Sequence, residues 1–480
     1  MKYGDRPMLI DGEMVAERNG DWITSVSPAN GQPIGRVPAG TKAHVDRATQ
    51  AALAAQPAWA ALSIWERGAK LRELATSIRA RSDEIKHMEA EDSGNTIASL
   101  SGDLHKAAHH FEYFAGLATE MKGDTVPASS TGLHMTLREP YGVVGRIVPF
   151  NHPFMFATAN LAAPLVAGNT VVLKSPETSP LTATVMAELC QAHLPRGVVN
   201  LVSGYGLPVG DAIARHPSIR RIGFTGSIKT GLAIQRAAAE VGVKHVSLEL
   251  GGKNPLIICR DADLEVAVRG AIAGMNFAWA GQSCGSTSRI LVHASVYDRA
   301  VALAKAEVER IRVGDPLDPS AQMGPLNSAA HYGRVMALVD AAKSEGAGLV
   351  TGGGSPANVD PRGFWLQPTI FADVTPHMRI AREEVFGPVM SFIRWSTEAE
   401  AIEIANSTPY GLTAAIYGRD IGVVMGMAKQ IDAGVVTVNG TKMHFVGLPF
   451  GGVKDSGVGG EECLDELLSY TRTKAVHMFL

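Results

Sequence analysis

The sequence predicts an α/β fold built from two consecutive units in which strands and helices alternate. Three observations carry this expectation. From residue 142 onward, short runs rich in Val, Ile and Leu recur between stretches of helical spacing, the pattern of a parallel sheet covered by helices on both faces. The 480 residues exceed one ordinary core, and length alone suggests about three structural units. The longest uncharged run, residues 147–173, is long enough by count to cross a bilayer. Pro149, Pro153, Pro164, Gly168 and Asn169 break it, however, into strand, turn, helix and strand of a buried core.

Composition narrows the class further. A hydrophobic content of 46% with 19% charged residues describes a globular protein, and a net charge of -3 gives no footprint for nucleic acid or an anionic membrane. Neither is expected as a partner. Lys2, Asp5, Arg6, Asp11 and Glu13 interrupt any leader-like apolar run. Cys190, Cys259, Cys284 and Cys463 form no CxxC pair and no metal-ligand spacing, which fits a reducing cytoplasm.

In chain order, residues before about 40 read as short strands and turns, with Asn30-Gly31 a turn signal. Ser63 and Glu66 form a capping box, followed by Leu71, Leu74 and Ile78 on one helical face, with the arginines and Glu73 on the other. His105 and His109 stand four apart on a further helix. That spacing is compatible with a metal, but no third ligand type completes it and none is expected. Residues 125–141 alternate poorly and carry Pro127 and Pro140. Strands are then expected at 143–148, 170–174, 198–202 and 221–224, with a helix at 181–193. The second unit offers strands at 256–259, 289–292, 369–371, 389–393, 414–417 and 435–439, and a helix at 264–278. Gly352-Gly353-Gly354 reads as a surface turn.

The chemistry centres on Cys284, set in Gly281-Gln282-Ser283-Cys284-Gly285-Ser286-Thr287-Ser288-Arg289. Small polar neighbours let a carbonyl approach a thiolate nucleophile, whereas an inert cysteine more often sits in an apolar run, as Cys190 and Cys259 do. Glu249 lies in Leu248-Glu249-Leu250-Gly251-Gly252-Lys253-Asn254-Pro255, a carboxylate at a strand end before two glycines. It is either a general base or an ion-pair partner of Lys253 or Lys244. Phe224-Thr225-Gly226-Ser227 follows a strand. Ser227 can cap the next helix, leaving backbone N–H groups free for a pyrophosphate. Gly204, Gly206 and Gly210 approximate a dinucleotide fingerprint, but they read equally well as a loop.

With these motifs, and with Pro149-Phe150-Asn151, Lys174-Ser175-Pro176-Glu177, Glu383-Glu384-Val385-Phe386-Gly387-Pro388 and Pro449-Phe450-Gly451-Gly452 in one order, the chain resembles the aldehyde dehydrogenase superfamily along nearly its whole length. The resemblance implies a Rossmann-like cofactor domain over 1–122 and 142–251, a catalytic domain over 252–464, and oligomerisation strands over 123–141 and 465–480. It implies NAD-dependent oxidation of an aldehyde to an acid by Cys284, with Asn151 holding the oxyanion and Glu249 activating the hydrolytic water. Relatives that transfer the acyl group to coenzyme A usually lack this glutamate, so a hydrolytic enzyme is expected.

Cofactor contacts are implied for Lys174, Glu177, Phe224, Thr225, Gly226, Ser227, Leu250, Gly251, Glu384 and Phe386. Glu177 would accept hydrogen bonds from a 2'-hydroxyl and repel a 2'-phosphate, which makes NAD the expected cofactor and NADP the second choice. The same resemblance lines a substrate tunnel with Lys106, His152, Ala159, Ala278, Ser283, Lys442 and His444. The small alanines and the polar groups point to a polar, aromatic or carboxylate-bearing aldehyde, with solvent-facing lysines the alternative. A cytoplasmic homodimer or homotetramer is implied. Two rival readings stand: a cofactor-independent cysteine hydrolase, which leaves Lys174, Glu177, Ser227 and Glu384 unexplained, and a non-catalytic binding protein, which would not need Cys284 and Glu249.

Overall fold

A computed structural model describes residues 1–16, 20–441 and 444–479. Its first large sheet has eight strands. The parallel centre runs His245–Glu249, Ile219–Thr225, Val143–Ile147, Thr170–Lys174 and Val199–Leu201. Antiparallel strands flank it: Gly457–Val458 at one edge, Met8–Ile10 and Glu13–Val15 at the other.

Successive residues of the central strands feed opposite cores. Val144, Val171 and Leu173 join one apolar cluster, while Val143 and Val172 join another across the sheet. A strand buried on both faces must be apolar at every position, which is why these segments read as continuous hydrophobic runs. The second sheet has seven strands around its own core, six of them parallel: Thr369–Ala372, Val389–Trp395, Arg289–His293, Pro255–Ile258, Thr413–Tyr417 and Val435–Val438. Gly348–Thr351 closes one edge antiparallel.

Most expected elements form within a residue or two. The helix Leu181–His193 and the strand Thr170–Lys174 match, and the box at Ser63 closes from both sides, with Glu66 N donating to Ser63 Oγ at 3.2 Å and Ser63 N to Glu66 Oε2 at 2.7 Å. Arg67 is a correction. It does not decorate the outer face of its helix but is buried, with its guanidinium donating to the carbonyls of Val166, Ala60 and Leu62. Those carbonyls end helices and have no intrahelical donor, so a cation there completes their hydrogen bonding. The helix expected at 264–278 stops at Gly274. Asn276 (φ 57°) and Ala280 (φ 51°) take left-handed backbone, and a single 3-10 turn, Phe277–Trp279, lies between them.

Residues 125–141, whose pattern was weak, form two strands, Thr125–Ser129 and Gly132–Pro140, and Thr471–Phe479 pairs antiparallel with the second of these over its full length. Pro127 is tolerated because its strand is exposed and at the sheet edge. Gly457–Val458, expected within the second unit, pairs instead with Leu248 and Glu249 of the first sheet.

Candidate active site

The strand order of the first sheet creates the site. From Val143–Ile147 the chain winds outward through Thr170–Lys174 and Val199–Leu201, then returns to the other side of the starting strand with Ile219–Thr225 and His245–Glu249. At such a reversal the loops leaving neighbouring strand ends diverge and open a crevice. Asn151, Lys174, Ser227 and Glu249 all stand at or just beyond those ends.

On one side of the crevice, Ser227 caps the helix Ile228–Val241, its Oγ accepting from Thr230 N at 3.3 Å. The exposed Ser227 leaves the positive end of this helix facing the crevice. Gly226 is required here, since a Cβ would sit 2.5 Å from the ring of Phe224 beneath it. Lys174 is buried with its Nζ 2.8 Å from the Ser175 carbonyl and 3.1 Å from Glu177 Oε2, and burial lowers its pKa. Glu177 reaches solvent, with 40% of its side chain exposed, and retains acceptor capacity for a ligand. Thr225 Oγ1 is buried without a partner among the described residues. These groups fit a diphosphate and a ribose diol.

Across the crevice, Glu384 Oε1 accepts from Gly252 N at 3.0 Å, and burial pushes its carboxyl up to about 7. A Cβ on Gly251 would lie 2.2 Å from Glu384 Oε2, so the absent side chain is what admits this carboxylate. Leu250 is buried beneath the same turn. Phe386 adopts φ 53°, with its carbonyl 2.7 Å from His331 Nε2 and its ring 5.8 Å from that of Phe150.

The nucleophile follows the 3-10 turn. Thr287 N donates to the Gly274 carbonyl and Ser286 Oγ to the Met275 carbonyl, pinning the loop at both ends. Asn254, buried, donates from Nδ2 to the carbonyls of Cys284 (2.6 Å) and Ser286 (2.9 Å). Asn151 Nδ2 donates to the Gln282 carbonyl at 2.9 Å, and the Asn151 backbone carbonyl accepts from Asn95 Nδ2 at 2.8 Å. One N–H of the Asn151 amide is thereby anchored two residues before Cys284, and the other remains for a ligand. Burial, with the Glu384 and Glu249 carboxylates, pushes the Cys284 thiol up to about 12.

Glu249 pairs with neither Lys253 nor Lys244. Lys244 Nζ is spent on the carbonyls of Ala214 and His216, while both oxygens of Glu249 are buried without a partner among the described residues. Burial, then Glu461 and Glu466, raise its pKa well above the ordinary carboxylate range against the pull of Arg146. A carboxyl in this state is suited to take up a proton from a neighbouring water.

The expected tunnel residues gather on two helices and the nucleophile loop. Lys106 lies on Ile97–Gly116 and Ala159 on Pro153–Val166, whose start is His152. Lys106, His152, Ala159, Ala278 and Ser283 are all partly buried, and His444 lies 3.1 Å from Glu462. Lys442 lies outside the described residues. Sequence reasoning missed Asp103, Asn254, Gln282, Arg146 and Glu461. Asn254 and Gln282 lie inside the motifs around Glu249 and Cys284 and carried a signal; the other three meet partners distant in sequence. Cys190, Cys259 and Cys463 are buried. His105 and His109 stack at 6.1 Å, and among the described residues no three His, Cys, Asp or Glu side chains gather for a metal.

The model of the aldehyde dehydrogenase family matches residues 14–476. Aldehyde dehydrogenase tropH of Talaromyces stipitatus is 44% identical, covering 98% of this chain and 93% of its own length. Betaine aldehyde dehydrogenase 1 of Rhizobium meliloti is 41% identical, covering 98% and 96%. The NAD+ complex structure of aldehyde dehydrogenase from Bacillus cereus superposes with a TM-score of 0.96 at 36% identity, covering 99% of this chain and 97% of that one. With its family match spanning nearly the whole sequence and its fold shared throughout, the chain belongs to the aldehyde dehydrogenase family.

Proposed function

We propose that this protein oxidises an aldehyde to a carboxylic acid with NAD, through a thiohemiacetal and then a thioester on Cys284. The observation that carries the reading is the anchored amide of Asn151 beside the Cys284 loop, with a buried Glu249 that has no partner among the described residues and is close enough to bear on the thiol. The Cys284 sulfur bonds the carbonyl carbon as its proton passes to solvent water. Asn151 Nδ2 and the Cys284 backbone N–H hold the oxygen that becomes negative. Bound NAD would supply the hydride acceptor. Lys174, Glu177 and the helix start at Ser227 would hold its adenosine and diphosphate portion, and Glu384, Leu250 and Gly251 the nicotinamide end. Glu249 then takes a proton from water as that water attacks the thioester, releasing acid and free thiol.

Glu177 at the ribose position favours NAD, with NADP as second choice. The substrate reading is a polar, aromatic or carboxylate-bearing aldehyde, supported by the half-buried Lys106 and His152. The betaine aldehyde and NAD in the names of the relatives belong to those proteins. Assembly as a homodimer or homotetramer is supported by the open edges of the three-stranded sheet, where Val126 (53%) and Phe479 (82%) are exposed. A cytoplasmic site of action is consistent with its unpaired cysteines. No described helix is long and apolar enough to cross a membrane.

The deciding experiment follows NADH absorbance with a panel of aldehydes, for wild type and Cys284→Ala, under NAD and then NADP. NAD-dependent turnover that Cys284→Ala abolishes is the expected result. Ester cleavage without any NADH would hand the site to the cysteine-hydrolase reading.

A further inference from the structure

His152 follows the oxyanion-binding Asn151, yet it is not spent on capping the helix Pro153–Val166 that it precedes. Its Nδ1 instead lies 2.7 Å from Oδ2 of Asp103, a buried carboxylate on the helix Ile97–Gly116. The same oxygen accepts from Trp279 Nε1 at 3.2 Å, just before the Cys284 loop. The imidazole packs 5.1 Å from the indole of Trp279 and 5.8 Å from the ring of Phe156. Asp103 thus fixes two rings that come from different parts of the chain, one following Asn151 and one preceding the Cys284 loop.

The consequence concerns the other ring nitrogen. In the neutral imidazole a carboxylate at Nδ1 favours the tautomer with the proton on that nitrogen, in which Nε2 carries the lone pair. Nε2 hydrogen-bonds nothing among the described residues, and the side chain keeps 12% exposure. A tunnel that only guided apolar aldehydes would gain nothing from this, because an unmet polar atom costs free energy once a dry substrate covers it.

We infer that the Asp103–His152 pair is a specificity device: His152 Nε2 accepts a hydrogen bond from a ring hydroxyl of an aromatic aldehyde. The inference rests on the aldehyde oxidation proposed above and names the class of substrate. His152 touches the substrate, and Asp103 acts through it as a positioning residue.

The test compares kcat/KM for 3- and 4-hydroxybenzaldehyde, 4-carboxybenzaldehyde and benzaldehyde in wild type, His152→Phe, His152→Gln and Asp103→Asn. In wild type, one hydroxybenzaldehyde should exceed benzaldehyde by about tenfold or more, the range of one buried hydrogen bond. His152→Phe should remove that ratio, and His152→Gln should restore part of it. Asp103→Asn should lower the ratio and move the His152 proton from Nδ1 to Nε2 in nitrogen NMR, a change that loss of packing alone would not produce. Calorimetric binding of 3- and 4-hydroxybenzoate to wild type and His152→Phe needs no turnover. Tighter binding by wild type supports the recognition even if no aldehyde is oxidised, in which case only the proposed reaction falls. A ratio unchanged in His152→Phe, a preference for the carboxylated aldehyde, or equal binding of the benzoates would overturn the inference.

Discussion

Replacing Glu249 by glutamine separates the two halves of the reaction. Glu249 is 5% exposed, neither carboxyl oxygen has a partner among the described residues, and a Cβ on Gly451 would lie 3.2 Å from Oε1. Glutamine fills the same volume but cannot take a proton from water. General-base assistance is worth about 10²–10⁴-fold, so turnover should fall by about 3–5 kcal/mol of barrier. Thioester formation does not draw on Glu249, because the Cys284 proton leaves to solvent water and glutamine removes one of the charges that raise this thiol. Rapid mixing of Glu249→Gln with aldehyde and NAD should therefore give a burst of NADH stoichiometric with subunits, followed by a slow phase at least about a hundredfold below wild type.

The pH dependence adds a second readout. Hydrolysis requires the deprotonated carboxylate, so wild-type turnover should rise with pH through the elevated pKa of Glu249, and the variant should lose that rise. Stability moves the opposite way. Between the ordinary value of 4.5 and the elevated one, the native state holds a proton that the unfolded chain has released. Stability contributed by this group is lost as pH rises across that window. Glutamine removes this dependence, and since it breaks no hydrogen bond, the melting temperature near neutrality should hold or increase. A variant that turns over within tenfold of wild type, or that loses burst and steady state equally, would refute the assignment.

Three further outcomes follow from the site. Asn151→Ala should lower kcat by about 10²–10³ with little change in KM, as loss of one oxyanion donor does; a change confined to KM would count against the role. Lys253 is buried with no partner for Nζ among the described residues, and burial beside Arg289 pushes it down to about 7. The unfolded chain holds a proton there from about pH 7 to 10.4 that the native state lacks. Wild-type stability should rise with pH across this window, and Lys253→Met should be more stable by up to about 4 kcal/mol at pH 7, the gain vanishing near pH 10; chemical denaturation at both pH values measures this. Gly251→Ala should push Glu384 off Gly252 N and raise KM for NAD about tenfold, with a smaller thermal shift on adding NAD.

Much of the architecture was legible because its determinants are local. Strands at 143–148 and 170–174, the helix at 181–193 and the cap at Ser63 are written in periodicity and neighbouring side chains. The end of the helix at Gly274 was not, since the left-handed turns at Asn276 and Ala280 are held by bonds from residues 286 and 287 further along. Arg67 was misplaced for a related reason: its acceptors at Val166 and Leu62 belong to neighbouring helix ends that no local pattern reveals.

The site divides along the same line. By itself, the sequence determined the chemical inventory: a cysteine among small polar residues, a carboxylate at a strand end, a serine ready to cap a helix, and the family these imply. Only the tertiary structure decided what each group meets. Asn151 finds the Gln282 carbonyl 131 residues away, Arg146 finds Glu461 across 315, and His152 finds Asp103 on a helix 49 residues earlier. Side-chain identity and local backbone preference are encoded over a few residues. Burial, the missing partner of Glu249 and the pairing of His152 arise only when the order of strands in a sheet brings distant segments to one crevice.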